Sequence, residues 1–425
     1  MTPGGLEWFH PRHQPARAEG AARIGSFASL RLRNYRLYAV GQTISVIGNW
    51  VQNIAVGWLT LQLSHSGTML GIVTGARYLP VLLLGVWGGL VVDRHDTRTL
   101  LTATQVCFAV QAAVLTALCW TRMMNLPLLV VLMLLLGLTN VFDNPARQSL
   151  ISELVDRGHL ANAIAINSTF INTAKLIGPG VAGVVIAGLG VTPCFALDTV
   201  SFIAVIVSLL MLRTAEMYPA EREVRAKGQI RAAIAYVYRT PELLRPMVMV
   251  YVTGILTCEF PVSLPLLTTS AFHVGSSGYG AAMAVMSAGA VLGGFVAVRR
   301  SRFTSRSLSV SAVIWGALIC VAALTPTFIT ALTALVFAGS ASITFNSSAK
   351  TLLQLGSTPH MRGRVLSIWS IGWLGGTVVG APAVGAIGSH WGARSALLVG
   401  GFGATGIGVL MLAMSAVGKR SRPSY

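Results

Sequence analysis

Apolar residues along this chain come in long blocks cut by short polar gaps. Twelve blocks can be read, at 37–62, 69–92, 99–121, 126–148, 160–188, 192–212, 246–270, 277–298, 308–324, 327–348, 364–388 and 393–416. A run of roughly 20 apolar residues wound as helix crosses about 30 Å of hydrocarbon. Membrane barrels show ten-residue alternation instead, and these blocks neither alternate nor stop so soon. The pattern predicts an all-α integral membrane protein with twelve transmembrane helices.

Composition agrees. Only 10% of residues are charged and the mean hydropathy is +0.69, where a soluble domain carries about 25% charged residues. The net charge of +18 would suit a nucleic-acid binder, but the cations are sorted by gap. All but four of the 31 Lys and Arg lie on the side that holds the N-terminus. Arg122 and Arg394 lie on the other side, and Arg77 and Lys175 fall within spans. Positive loops stay in the cytoplasm, so both termini are expected there, in the cell (inner or plasma) membrane. No basic, aromatic-interleaved surface points to nucleic acid. Residues 1–36 lack an apolar core and read as a basic cytoplasmic arm, not a signal peptide. The 5 cysteines all sit in apolar blocks, without metal or disulfide spacing. The Gly178-x-Gly180 pair lies inside a span instead of after a strand, so no phosphate loop is present. Neither an enzyme, a metal nor a cofactor is expected.

The chain is written twice. "FDNPARQ" from Phe142 recurs as "FNSSAKT" from Phe345, "IGPGVAG" from Ile177 as "VGAPAVG" from Val379, and "GGLVVDR" from Gly88 as "GGFVAVR" from Gly293. Three matches in order at nearly one offset divide the chain into two six-helix bundles, 37–212 and 246–416. A hydrophilic linker, 213–245, joins them, and 417–425 is a basic tail. Within the linker, Ile230, Ile234 and Val237 share one side of a basic amphipathic helix. That helix either lies on the anionic inner leaflet or is a solvated connector.

Polar residues stripe particular helices. In the first span Gln42, Ser45, Asn49, Gln52 and Asn53 follow three- and four-residue steps, one face of a helix. The fourth span carries Asn140 and Asn144, the seventh Thr253 and Thr257, the tenth Ser340, Thr344 and Ser347. These are the first helices of successive triplets. A shared central cavity, with Gln42, Asn49, Asn53, Asn140 and Thr257 in its wall, accounts for all four stripes. Hydrogen bonds between helices would account for each separately. Arg77, Lys175, Asp198 and Glu259 are charges at depth, each a functional candidate by default. Glu259 precedes Pro261 and Pro265, which predicts a bent or broken helix there. It is read either as a proton site or as a structural partner. Arg77 and Lys175 are candidates for coupling, and Asp198, near the outer end of the sixth span, for structure. Gly178 and Gly183 beside Pro179, and Gly376 and Gly380 in the eleventh span, form small-residue faces expected at the seam between bundles.

"GGLVVDRHDTR" resembles the G-x-x-x-D-R-x-x-x-R loop of the major facilitator superfamily, and "GPGVAG" its helix 5 antiporter motif. "DNPARQSLISELV" with "LANAIAINSTFINTAKLIGP" is similar to the branch holding the enterobactin exporter and the macrolide and multidrug effluxers. The resemblance covers residues 27–416. It implies two pseudo-symmetric six-helix bundles that rock about a central cavity. It also implies a cytoplasmic gate of Gly89, Asp93, Arg94, Arg98, Asp143 and Arg147, in which Asp93 docks on the opposite bundle. Arg94 and Arg98 would pair with Asp143 and Asp96. The second copy has Val298 where the first has Asp93, so such a latch acts on one side only. The helix 4 arginine of many drug antiporters has no counterpart before Arg147, which leaves Arg77 or Lys175 to take its place. The function implied is a proton-coupled exporter of an amphipathic small molecule (drug, macrolide or siderophore). Its partners are that substrate, protons and the bilayer, and it works as a monomer. A facilitator or importer without antiport, or a sensor or assembly protein that moves nothing, are the alternatives.

Overall fold

The computed structural model describes residues 27–92, 94–218, 229–257, 259–298, 304–358 and 360–420. The first half contains α1 (Arg33–Ser64), α2 (Gly67–Val92), α3 (Thr97–Trp120), α4 (Leu126–Leu154), α5 (Leu160–Leu189) and α6 (Thr192–Leu210). The connector helix α7 (Gln229–Arg239) follows. The second half contains α8 (Pro241–Leu256), α9 (Phe260–Leu266), α10 (Gly275–Val298), α11 (Ser305–Leu324), α12 (Phe328–Gly356), α13 (Arg362–Trp391) and α14 (Ala393–Arg420). A π turn, Leu267–Ala271, extends α9, so α8 and α9 together make one crossing. The twelve crossings put both ends of the described chain on the same side of the bundle.

Eleven helical segments are long and apolar enough to span a bilayer. The remaining crossing, α1, is long enough but diluted by its polar stripe from Gln42 to Asn53. Caps set several starts: Asp96 accepts a hydrogen bond from the Thr99 amide at 2.7 Å, and Asn125 one from Leu128 at 3.0 Å. Each satisfies an amide that the first helical turn leaves unpaired. Thr304 and Ser307 form a reciprocal capping box on α11.

The duplication is visible in the packing. The pairs α2–α4, α3–α4, α3–α6 and α1–α5 in the first half recur as α10–α12, α11–α12, α11–α14 and α8–α13 in the second. The halves meet through α2 against α13 and α5 against α10, again one arrangement used twice. Phe108 stacks on Phe202 with ring centroids 5.3 Å apart, tying α3 to α6. Trp315, fully buried, packs on Phe345 at 5.5 Å between α11 and α12. The supporting helices are thus fixed by apolar contact, while the helices that meet across the halves are fixed by small residues.

The connector packs against the helices that follow it. On α7 the buried residues are Ala233 and Val237, which pack with Leu243 and Met247 of α8 and Val365 and Ile368 of α13. Ile234, expected on the apolar side, is exposed. Tyr236 accepts a hydrogen bond from the Thr358 amide at 3.4 Å. The helix uses its apolar face against protein, because the ends of α8 and α13 offer it an apolar groove; Ile230 falls outside the residues whose side chains are described.

Candidate functional site

Between α1, α2 and α4 on one side and α13 on the other lies a cavity of about 830 Å³. Its wall runs from Asn49 and Arg77, halfway along their helices, to Val92 and Ser152 at the end of the bundle that carries the termini. Asn140, Asn144, Gln148 and Ser152 line it at four-residue steps along α4. The step was legible for Asn140 and Asn144, and it continues past the point where the apolar block stops. Ser370 and Leu374 of α13 form the opposite wall. The polar groups therefore come mostly from the first half.

At the far end the halves are sealed backbone to backbone. A Cβ on Gly71 would strike the Ala381 carbonyl and Pro382, and one on Gly67 would lie 2.7 Å from the Gly385 carbonyl oxygen. On the other flank a Cβ on Gly280 would lie 2.6 Å from the Pro179 carbonyl oxygen and 2.7 Å from the Gly183 Cα. Pro179 and Pro382 lie one position apart in the repeat, and each sits on a glycine of the opposite half. Leu61 and Leu70 join Val262, Leu266, Ala381 and Ala393 in an apolar plug across this seam.

The other glycines of the small-residue faces lie elsewhere than expected. Gly178 packs on Ile47 and Trp50 of α1, and Gly376 and Gly380 on Gly254 and Ile255 of α8. These contacts are inside each half. Spacing shows that a helix face permits close approach, but not which neighbour approaches; the seam uses the adjoining faces.

Of the expected cavity residues, Asn49 and Asn140 are in the wall. Gln42 is buried in helix packing, its side-chain nitrogen unpartnered, and Asn53 is half-buried outside the lining. Gln52 donates to Gln111 of α3 at 3.0 Å. Thr257 is buried and donates to the Gly400 carbonyl of α14 at 2.9 Å. Interhelical hydrogen bonding claims Gln52 and Thr257.

The deep charges occupy different settings. Arg77 donates to the Asn49 side-chain oxygen at 3.1 Å and borders the cavity. Lys175 is exposed, its ammonium 5.8 Å from the Trp50 ring centroid. Asn49 and Trp50 are neighbours, so two cations flank one turn of α1. Asp198 lies against Gly48, midway along α1, deeper than its place in the sixth span suggests. It accepts a hydrogen bond from Ser201 at 3.1 Å while its other oxygen is unpartnered. The span reading errs here because α1 extends beyond α6 at the far end. Glu259 sits in the break between α8 and α9, 2% exposed, neither oxygen hydrogen-bonded among the described residues. The Thr377 side chain is nearby without forming a bond of good geometry, and Glu259 Oε1 would lie 3.0 Å from a Cβ on Gly380.

At the terminus-bearing end Asp143 is buried and holds Arg147 at 2.6 Å, with Thr104 and Gln105 also donating to it, at 3.0 and 2.6 Å. Arg98 donates to the carbonyls of Leu209 and Leu210 at 2.8 and 3.0 Å, satisfying the end of α6. The expected pairing of Arg98 with Asp143 or Asp96 is replaced by this cap, because Arg147 and the α3 N-terminus already occupy those two carboxylates. Arg94 is exposed and Gly89 is buried in the cavity wall. Asp93 lies outside the described residues. Among the described residues no group of His, Cys, Asp and Glu is placed to hold a metal ion.

Two packed copies of six crossings around a cavity sealed at one end define a membrane transporter of the major facilitator fold. A bacterial homologue of the human lysosomal transporter Spinster, in an inward-facing and unoccupied conformation, shares that fold at a TM-score of 0.68 and 15% identity, over 93% of this chain and 96% of that one. The chain belongs to the transmembrane secretion effector family of that superfamily, whose model matches residues 24–422. Relatives include the staphyloferrin A transporter of Staphylococcus aureus, 27% identical over 58% of this chain and 62% of that protein. The multidrug efflux pump Tap of Mycolicibacterium fortuitum is 25% identical over 81% of this chain and 87% of its own. The enterobactin exporter of Citrobacter koseri is 23% identical over 89% and 91%. The match to the first of these spans under two thirds of its length.

Proposed function

We propose that this chain is an exporter of the cytoplasmic membrane that carries an amphipathic small molecule outward by alternating access, driven by inward proton flow. One observation carries the reading: the cavity reaches the terminus-bearing end, while close backbone contacts and an apolar plug hold the halves together at the far end. The basic loops assign the terminus-bearing end to the cytoplasm, so the cavity would load from inside. Relatives named for siderophore, multidrug and macrolide transport support efflux as the direction. A wall that mixes Arg77, asparagines and serines with Val81, Val92, Val141 and Leu374 suits an amphipathic cargo.

Glu259 is the proposed proton site. A carboxylate without partners in an apolar setting is costly when charged. It lies at a helix break just beneath the seam that must open, so movement of α9 would change its access to water. Asp93, Gly89, Arg94 and Arg98, with the Asp143–Arg147 pair, are the proposed cytoplasmic gate, closed when the cavity faces outward.

Purified protein in proteoliposomes provides the test. Export is expected to accelerate with an imposed pH gradient and to collapse with nigericin. In Glu259→Gln, substrate exchange should persist while the response to the gradient is lost. Flux indifferent to the gradient in the native chain would leave a facilitator instead.

A further inference from the structure

We propose that the cargo is an organic anion and that Arg77 is its anchor, taking a carboxylate in the cavity. This inference rests on the exporter reading and specifies the chemistry of its cargo.

The argument begins with an unbalanced charge. A guanidinium offers five N–H donors in a planar fork. Asn49 accepts from one of them at 3.1 Å. No carboxylate forms an ion pair with Arg77 among the described residues. Asp198 acts on it only through space, from the far side of α1, where its own hydrogen bond comes from Ser201. The guanidinium carbon lies 6.0 Å from the Tyr78 ring centroid, and Arg77 and Tyr78 both line the cavity.

The described cavity lining contains no acidic residue. Its polar groups are Asn49, Asn140, Asn144, Gln148 and several serines, with Arg77 as the one charge among the described residues. Lys175 adds a second positive charge across the Asn49–Trp50 turn. Glu259, the nearest acid of the second half in the membrane, is buried and outside the lining. A cationic cargo would therefore meet repulsion and no counter-charge.

The cycle makes the same demand. In the open state water can solvate Arg77. Once the cavity closes on its cargo, that water is displaced, and a bare cation in a low-dielectric setting is strongly disfavoured. A carboxylate accepting two parallel hydrogen bonds from the fork supplies the missing charge with the strongest geometry available to arginine. Val81, Val141 and Leu374 in the lining then receive the rest of the molecule.

Two dyes with one xanthene skeleton and opposite charge test this: 5-carboxyfluorescein, an anion, and rhodamine 6G, a cation. Binding is read on the full purified chain by fluorescence polarisation, and transport in energised everted vesicles. The native chain should prefer carboxyfluorescein. Arg77→Gln should lower the anion-to-cation ratio about tenfold, Arg77→Lys, which keeps the charge and loses the fork, should fall between the native chain and Arg77→Gln, and Arg77→Glu should invert the ratio. Lys175→Gln should lower the ratio less, with an effect that fades as salt rises. The ratio is internal to each variant, so a merely structural Arg77 would lower both affinities together and overturn the proposal. Rhodamine 6G bound and moved in preference would also overturn it while leaving the exporter intact. Selective anion binding without transport by energised vesicles would keep the anchor and reject the exporter. No binding of the anion by the native chain rejects the anchor.

Discussion

At the scale of single residues, the buried carboxylates divide by their partners. Asp143 is saturated by Arg147, Thr104 and Gln105, whereas Glu259 has no hydrogen bond among the described residues. Removing a carboxylate from a buried pair strands the opposite charge, at about 3–5 kcal/mol. Arg147 keeps 19% side-chain exposure, which places Asp143→Ala at about 3 kcal/mol of lost stability. Denaturation in mixed micelles would measure it; a change below about 1 kcal/mol would show that the pair is solvated. Glu259→Gln should leave stability unchanged or raise it, since it removes a charge without removing a bond. The two glutamine-for-acid and alanine-for-acid variants therefore separate a structural acid from a working one. The sequence places Glu259 near the middle of its span and Asp143 nearer the cytoplasmic end. It does not tell which of them is saturated, because hydrogen-bond saturation depends on α3, which is remote in the chain.

At the scale of elements, periodicity was legible and partnership was not. The stripe from Gln42 to Asn53 is one face by spacing, yet α1 is enclosed by α5, α6 and α2. Only Asn49 reaches the cavity; Gln52 finds Gln111. A polar side chain inside a membrane protein must find either water or a partner helix, and the repeat along one helix cannot choose between them. On α7 spacing groups Ile230, Ile234 and Val237, while the groove that receives Ala233 and Val237 is built by α8 and α13. The glycines on α2 give a prediction at this scale. Gly71→Val inserts a side chain where the Ala381 backbone sits, and overpacking costs about 1–3 kcal/mol. That penalty falls only on the arrangement sealed at the far end, and 1.4 kcal/mol alone shifts a two-state population about tenfold. Maleimide labelling of a cysteine placed at Thr68 should rise accordingly. Unchanged labelling would mean that the seam yields without opening.

At the scale of the whole molecule, the twelve crossings and the twofold repeat were legible because bilayer thickness fixes helix length and because three motifs recur at one spacing. The state of the transporter was not, since the same sequence must support several. The far-end seal gives a direct test of rocking. The Thr68 amide donates to the Ser389 hydroxyl at 3.1 Å across the halves. Cysteines replacing Thr68 and Ser389, in a chain whose 5 native cysteines are changed to alanine, should form a disulfide on mild oxidation. Transport should stop and return with reductant, while binding of cargo from the terminus-bearing side persists. Transport that continues through the crosslink would exclude rigid-body rocking about this seam.

The seam's makeup also bears on how easily it parts. Where Gly71 meets Ala381 and Gly280 meets Pro179, no long side chains interlock. At those two points separation requires no rotamer to unhook, and the plug beside them parts apolar surface from apolar surface. Contact is surrendered in small equal steps, like two smooth rollers turning apart. Such a bearing would let a modest difference in cargo or proton binding drive the turnover.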